Sequence, residues 1–377
     1  MAQMMAGRGR LHGIDALRGI AATAVVFHHV IWLLGLKIEP FMQPAAAYFG
    51  LGVPLFFIIS AIAMFHTYDG RMIEPGAEQR FFIKRYFRLL PLMVAVYLAY
   101  NGFLYGLYGA GFANLTSVRV FADVSLLFAL IPQASAGPVP AAWSIGVEML
   151  FYILVPLALR LCADIRVAFA LLALAYAVSW DFQASLDPAK LPNQWYTAIN
   201  PVLFIPCFLI GIAIQRLHSS TLAARATPMA GNIAIIASLV VLVMLITQTS
   251  ALQTTNAGTS YWMKVHVFSL FFAIVVFFTT YAPSKVISNR ATRFLGDLSY
   301  GIYLIHPPVI VLIVKPLLPE LRVVAASDDG LLFILCSAAT LAVTIILAWV
   351  AHLTIEKPGI ALGNRLAAKV GRAAPHT

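Results

Sequence analysis

The apolar positions of this chain run in long blocks of similar length, not in the alternating pattern of half-buried strands or the spaced stripe of surface helices. Stretches of membrane-spanning length occupy residues 14–36, 49–67, 89–108, 143–161, 166–181, 198–216, 231–249, 264–282, 296–315 and 331–353. In lipid a helix satisfies all of its own backbone groups, so the blocks predict an all-α polytopic bundle of about ten transmembrane helices. An eleventh stretch, 119–132, is shorter, contains Asp123 and ends at Pro132. Hydropathy alone does not decide whether it crosses.

Charge placement decides it. With a cytoplasmic N-terminus and ten crossings, 19 of the 25 Lys and Arg residues fall on the cytoplasmic side, including Arg80, Lys84, Arg85 and Arg88 in the first inner loop and Lys357, Arg365, Lys369 and Arg372 near the C-terminus. That is the usual bias of membrane proteins. A further crossing at 119–132 would turn the C-terminal basic residues outward. The stretch is therefore expected to be a re-entrant or interfacial helix on the outer side, with both termini cytoplasmic. The net charge of +10 then needs no nucleic acid to explain it.

Composition adds limits. With 61% hydrophobic and 11% charged residues, the chain has little length for a separate soluble domain. We expect one membrane domain, 1–360, followed by a short basic cytoplasmic tail, 361–377. The basic start (Arg8, Arg10) resembles that of a signal peptide, but Arg18 interrupts the apolar region and no small-residue cleavage site follows, so the first helix is expected to be retained. Cys162, Cys207 and Cys336 lie far apart without metal-ligand spacing, so neither a disulfide framework nor a metal site is expected.

Within these apolar blocks a few ionisable groups stand out, since such groups in lipid usually face an interior and serve function. The first span carries Asp15, Arg18, His28 and His29. At about 100° per residue, Arg18 and His29 lie about 20° apart around the axis and about 16 Å apart along it, whereas His28 points about 80° away. If one histidine works with the arginine, it is His29. Arg85 and Arg88 are helical neighbours, and Lys84 pairs with Arg88 by i,i+4 spacing; such a cluster suits phosphate groups. Ser144, Glu148 and Tyr152 form one helical stripe following Trp143, and a carboxylate there suits positioning or deprotonating a polar acceptor. Ser299, Tyr303 and His306 have similar spacing and read chiefly as structural. Ser60, in a glycine- and phenylalanine-rich span, reads as packing. Ile355-Glu356-Lys357-Pro358 reads as a helix stop.

These blocks resemble the acyltransferase 3 family of polytopic membrane acyltransferases. The likeness lies in Asp15-Ala-Leu-Arg18-Gly through His29, Phe56-Phe-Ile-Ile-Ser60, Lys84-Arg85-Tyr-Phe-Arg88-Leu-Leu-Pro91, Trp143-Ser144 through Glu148 to Tyr152, and Ser299-Tyr-Gly-Ile-Tyr303-Leu-Ile-His306, in the family's order over most of the chain. Ala16 and Ala61 stand where glycine is frequent, and Met149 where a second polar residue often follows the glutamate.

The resemblance implies transfer of an acyl group, usually acetyl, from cytoplasmic acetyl-CoA or another acyl-CoA to a hydroxyl of a surface polysaccharide, its lipid-linked precursor or another glycan. This would be an O-acetylation at a bacterial inner (plasma) membrane. On that reading His29, Arg18 and Glu148 are catalytic, Lys84, Arg85 and Arg88 hold the donor, and Trp143, Ser144 and Tyr152 meet the acceptor. The rival is a secondary transporter whose Asp, Arg, His and Glu form an intramembrane pathway; no paired halves with matching broken helices favour it.

Overall fold

The structure is a computed structural model that describes residues 11–37, 48–72, 74–109, 116–132, 134–191, 195–249, 259–326 and 328–370. Arg8, Arg10 and Arg372, used above to orient the chain, lie outside these. The long helices are α1 (His12–Leu34), α2 (Gly52–Tyr68, preceded by a 3-10 turn, Phe49–Leu51) and α3 (Ala77–Tyr108). A short α4 (Ser117–Ser125) follows, then α5 (Trp143–Leu161), α6 (Ile165–Ser185), α7 (Ile205–Arg216), α8 (Pro228–Gln248) and α9 (Thr259–Tyr281). The chain closes with α10 (Arg290–Asp297), α11 (Ser299–Val309), α12 (Leu318–Val324), α13 (Asp329–Ala351) and α14 (Lys357–Val370). Among the described residues nine helices are long and apolar enough to cross a membrane, or ten if the bent pair α10–α11 counts as one span.

α1 is the hub of the bundle, packing against α2, α9, α10, α11 and α13. It ends where Gly35 takes φ +61° and returns its N–H to the Ile31 and Trp32 carbonyls, a left-handed stop that glycine allows without strain. Its approach to α10 is backbone against backbone: a Cβ on Gly19 would lie 2.4 Å from the Thr292 carbonyl oxygen, and one on Gly296 would overlap the Asp15 carbonyl. These two glycines therefore fix the height of Asp15 and Arg18 in the bundle.

Two segments differ from the pattern read in the sequence. The apolar block 296–315 is broken: α10 and α11 meet at 72° around Leu298, and the helix passes into a π-turn at Ile310–Val314 shortly after Pro307 and Pro308. The expected stop at Pro358 is absent. A π-turn at His352–Glu356 carries the helix on into α14, giving 42 helical residues from Asp329 to Val370, roughly 63 Å and about twice the hydrocarbon thickness. Its far end lies along the 32-residue α3, with Gly359 and Gly363 against Pro91 and Phe87. Residues 361–370 of the expected tail thus belong to a packed helix.

The stretch at 119–132 forms no span. α4 is nine residues long and is followed by a 3-10 turn, Phe128–Leu130. It exposes Val118, Phe121 and Val124 along one side, as a helix lying in an interface does. Arg119 donates to Asp123 at 2.9 Å and to the Gly137 carbonyl, tying α4 to the loop that starts α5. Burial pushes the Asp123 carboxyl up, against the opposing pull of Arg119.

Candidate active site

α3 and α5 run antiparallel from a peripheral ion pair, Glu78 to Arg160 at 2.7 Å. Arg88 lies about 15 Å along α3 from Glu78, and Glu148 about 18 Å along α5 from Arg160, at 1.5 Å per residue. The two therefore reach the same depth within the bundle. They line one partly open cavity together with Arg18, Ser60, Arg85, Ser144, Tyr152, Ser299, Tyr300 and Tyr303, with Phe56 and Phe57 among its apolar walls.

Of the nine site residues read from sequence, this cavity gathers six: Arg18, Arg85, Arg88, Ser144, Glu148 and Tyr152. Lys84 lies about a turn short of Arg88 on α3 and is exposed, outside the lining. Trp143 packs on Phe204 and Phe57, with ring centroids 5.4 and 6.5 Å away, and also stays outside. His29 stands beyond the far end of the cavity. Tyr303, which lines the cavity, has its ring 6.0 Å from that of His306, and His306 Nε2 is 3.0 Å from His29 Nδ1. The face that Arg18 and His29 share in the helical count is thus used at two heights.

The polar side chains in the cavity are held by a small set of contacts. Glu148 Oε1 accepts from Ser60 Oγ at 2.6 Å and from the Tyr152 hydroxyl at 2.5 Å. Ser144 donates to the Tyr303 hydroxyl at 2.7 Å, which donates in turn to the Ala141 carbonyl at 2.8 Å. Ala141 has φ +69°, a conformation costly for alanine, and it turns its carbonyl to this hydroxyl at the start of α5. Tyr300 donates to the Leu89 carbonyl on α3 at 2.5 Å.

The guanidiniums are less fully matched. Arg18 is 4.0 Å from Asp15, with 21% of its side chain exposed. Arg85 lies over the rings of Tyr68, Phe81 and Tyr152, its central carbon 5.4, 5.8 and 5.7 Å from their centroids. Its Nη2 reaches the Tyr68 hydroxyl at 3.4 Å, and its buried Nε has no acceptor. Three guanidiniums thus share the lining with one carboxylate, a surplus of positive charge that suits anionic groups.

Sequence reasoning gave Ser60 no role in the site. It sits in a run of phenylalanine and isoleucine that has the composition of packing, and its partner, Glu148, is 88 residues away. Tyr300 and Ser299 enter the lining because α11 starts at the bend after Leu298, which the apolar pattern does not reveal. The i,i+4 spacing of Ser299 and Tyr303 was the available signal.

A family model of the acyltransferase domain matches residues 11–351, most of the chain and every residue of the cavity. The chain belongs to the acyltransferase 3 family. It is a membrane acyltransferase, and its relatives agree. A protein of Acidianus two-tailed virus named as an acetyltransferase, ORF330, is 28% identical over 300 residues, 78% of this chain and 81% of that one. The membrane-bound transacylase BcsY of Komagataeibacter xylinus is 31% identical over 157 residues, 39% of this chain and 37% of its own. Nodulation protein 10 of Rhizobium leguminosarum bv. viciae is 28% identical over 193 residues, 46% and 51% of the two chains. Each of the last two thus matches over about half of its own length or less. No solved structure matches the chain.

Proposed function

We propose that this acyltransferase takes an acyl group, acetyl in the first instance, from acyl-CoA on the cytoplasmic side of a bacterial inner membrane and passes it to a hydroxyl of a glycan or lipid-linked sugar. The observation that carries the donor is the excess of guanidinium over carboxylate along the cavity. Phosphate oxygens match a guanidinium with the paired geometry that arginine prefers. Arg85 and Arg88 would grip the phosphates, and Lys84, exposed about a turn away, would meet the donor as it approaches. Arg18, on α1 in the same lining, would complete the anion clamp.

The thioester end of the donor then points along α1 toward His29, where the imidazole acts as general base on the acceptor hydroxyl. Acyl transfer to the imidazole itself is the other chemistry open to that residue. Glu148 would hold the hydroxyl of an acceptor entering over Ser144 and Tyr303, with Tyr152 in the wall and Trp143 packed outside the lining against Phe57. The family membership favours this over solute transport.

Donor binding is the direct test. Loss of one hydrogen bond to a charged group weakens binding by roughly tenfold to a hundredfold. Titration calorimetry in detergent should show Arg85→Ala and Arg88→Ala each weakening acetyl-CoA by that factor, with the double variant binding below detection. Binding of S-acetyl-pantetheine, which lacks the nucleotide phosphates, should be insensitive to both changes. Unchanged acetyl-CoA affinity in the double variant would remove the phosphate role.

A further inference from the structure

His306 stands where the apolar pattern offers least reason for an imidazole: on α11, with no exposed surface and two prolines following it. Its Nδ1 is 2.9 Å from the Ile302 carbonyl one turn earlier, and its Nε2 is 3.0 Å from His29 Nδ1. That same Nδ1 of His29 is 3.0 Å from the Val25 carbonyl, again one turn earlier. The rings are 4.9 Å apart and tilted by 51°.

These contacts leave a single proton assignment for the neutral pair. A carbonyl oxygen only accepts, so His306 Nδ1 must carry its proton, and His306 Nε2 then bears a lone pair. The 3.0 Å contact next requires a proton on His29 Nδ1, which the Val25 carbonyl requires independently. The remaining nitrogen, His29 Nε2, is left with its lone pair. His29 is only partly buried, and Nε2 is the ring nitrogen left to meet a substrate. The titratable groups acting on His29 among the described residues are His306 and, on its own helix, His28.

We infer that His306 is a positioning residue of the transfer reaction: it accepts from His29 Nδ1–H, sets His29 Nε2 as the base and supports the imidazolium that forms. The inference rests on the reading of His29 as general base. In the step it serves, the acceptor oxygen bonds to the acyl carbon as its proton moves to His29 Nε2. The carbon–sulfur bond then breaks, and the proton leaves with the thiolate as free thiol. His306 neither gains nor loses a proton.

Many hydrolytic sites give this task to a carboxylate. A neutral imidazole does it without adding a charge to an apolar bundle, where an uncompensated carboxylate would cost far more than a hydrogen-bonded ring.

Two measurements test the assignment. Nitrogen-15 NMR of histidine-labelled protein in lipid, with His29 assigned by its loss in His29→Gln, should show a protonated Nδ1 and an unprotonated Nε2. A proton on Nε2 would overturn the inference, and this readout does not depend on any activity. In transfer assays, His306→Phe keeps the ring volume but removes the acceptor, and should lower kcat by roughly tenfold to a hundredfold with KM for donor and acceptor unchanged. His306→Gln, which offers an amide oxygen near the Nε2 position, should recover most of that loss. If His306→Phe turns over at the wild-type rate, or if Gln fails to improve on Phe in a folded protein, His306 is only structural. Failure of the wider reading would appear differently, as an unaffected His29→Gln variant.

Discussion

His29→Ala should lose acyl transfer by about a hundredfold to ten-thousandfold, the range over which a positioned general base contributes, while its melting temperature and acetyl-CoA affinity stay near those of the wild type. The donor should be unaffected because its proposed anchors, Arg85 and Arg88, line the cavity and His29 does not. Stability should change little because His29 is partly exposed and the hydrogen bonds it makes are to one carbonyl and one ring. His28 is the control. It packs its ring over Gly50, where an added Cβ would lie 3.2 Å away, and His28→Ala should cost packing without a comparable loss of turnover. Equal losses in the two variants, or none in His29→Ala, would refute the assignment of the base.

Glu148→Gln should be the second most damaging change, lowering kcat by about a hundredfold or more. Glutamine keeps an oxygen that can accept from Ser60 and Tyr152, as Glu148 Oε1 does, so the local network and the fold survive. What disappears is the carboxylate among three guanidiniums. If Glu148 orients the acceptor hydroxyl, the loss falls on kcat and on acceptor KM, measured with saturating acetyl-CoA. A variant that instead changes only donor affinity would show that Glu148 does no more than balance charge in the cavity. Ser60→Ala should show a smaller loss in the same direction, because Tyr152 still donates to the carboxylate.

How far the sequence discloses this site follows from how local its signals are. The stripe of Ser144, Glu148 and Tyr152 and the neighbouring Arg85 and Arg88 could be read because each lies on one helix, where side-chain direction follows from 3.6 residues per turn. The apolar blocks likewise gave the spans, and charge bias the status of α4, because both rest on lipid chemistry and need no tertiary partner. What escaped was set by contacts across the chain. Ser60 serves Glu148 from another helix, and His306 meets His29 across 277 residues. Each looks ordinary in its own helix.

Boundaries failed for a related reason. Proline reads as a stop, yet the π-turns at Ile310–Val314 and His352–Glu356 each lie next to prolines, at Pro307 and Pro308 and at Pro358, and the helices continue. Depth was also hidden. Arg85 and Arg88 sit in a basic run that suggests an inner surface, but α3 begins at Ala77 and carries them well into the bundle.

Transfer of an acyl group from acyl-CoA to a hydroxyl can be followed by incubating the protein in lipid vesicles with acetyl-CoA labelled in the acetyl carbon and a mixture of glycan acceptors. Label should become bound to a glycan through an alkali-labile ester, with free CoA released in equal amount. Label that stays on acetyl-CoA, or solute that crosses the membrane without any covalent transfer, would contradict the proposed function.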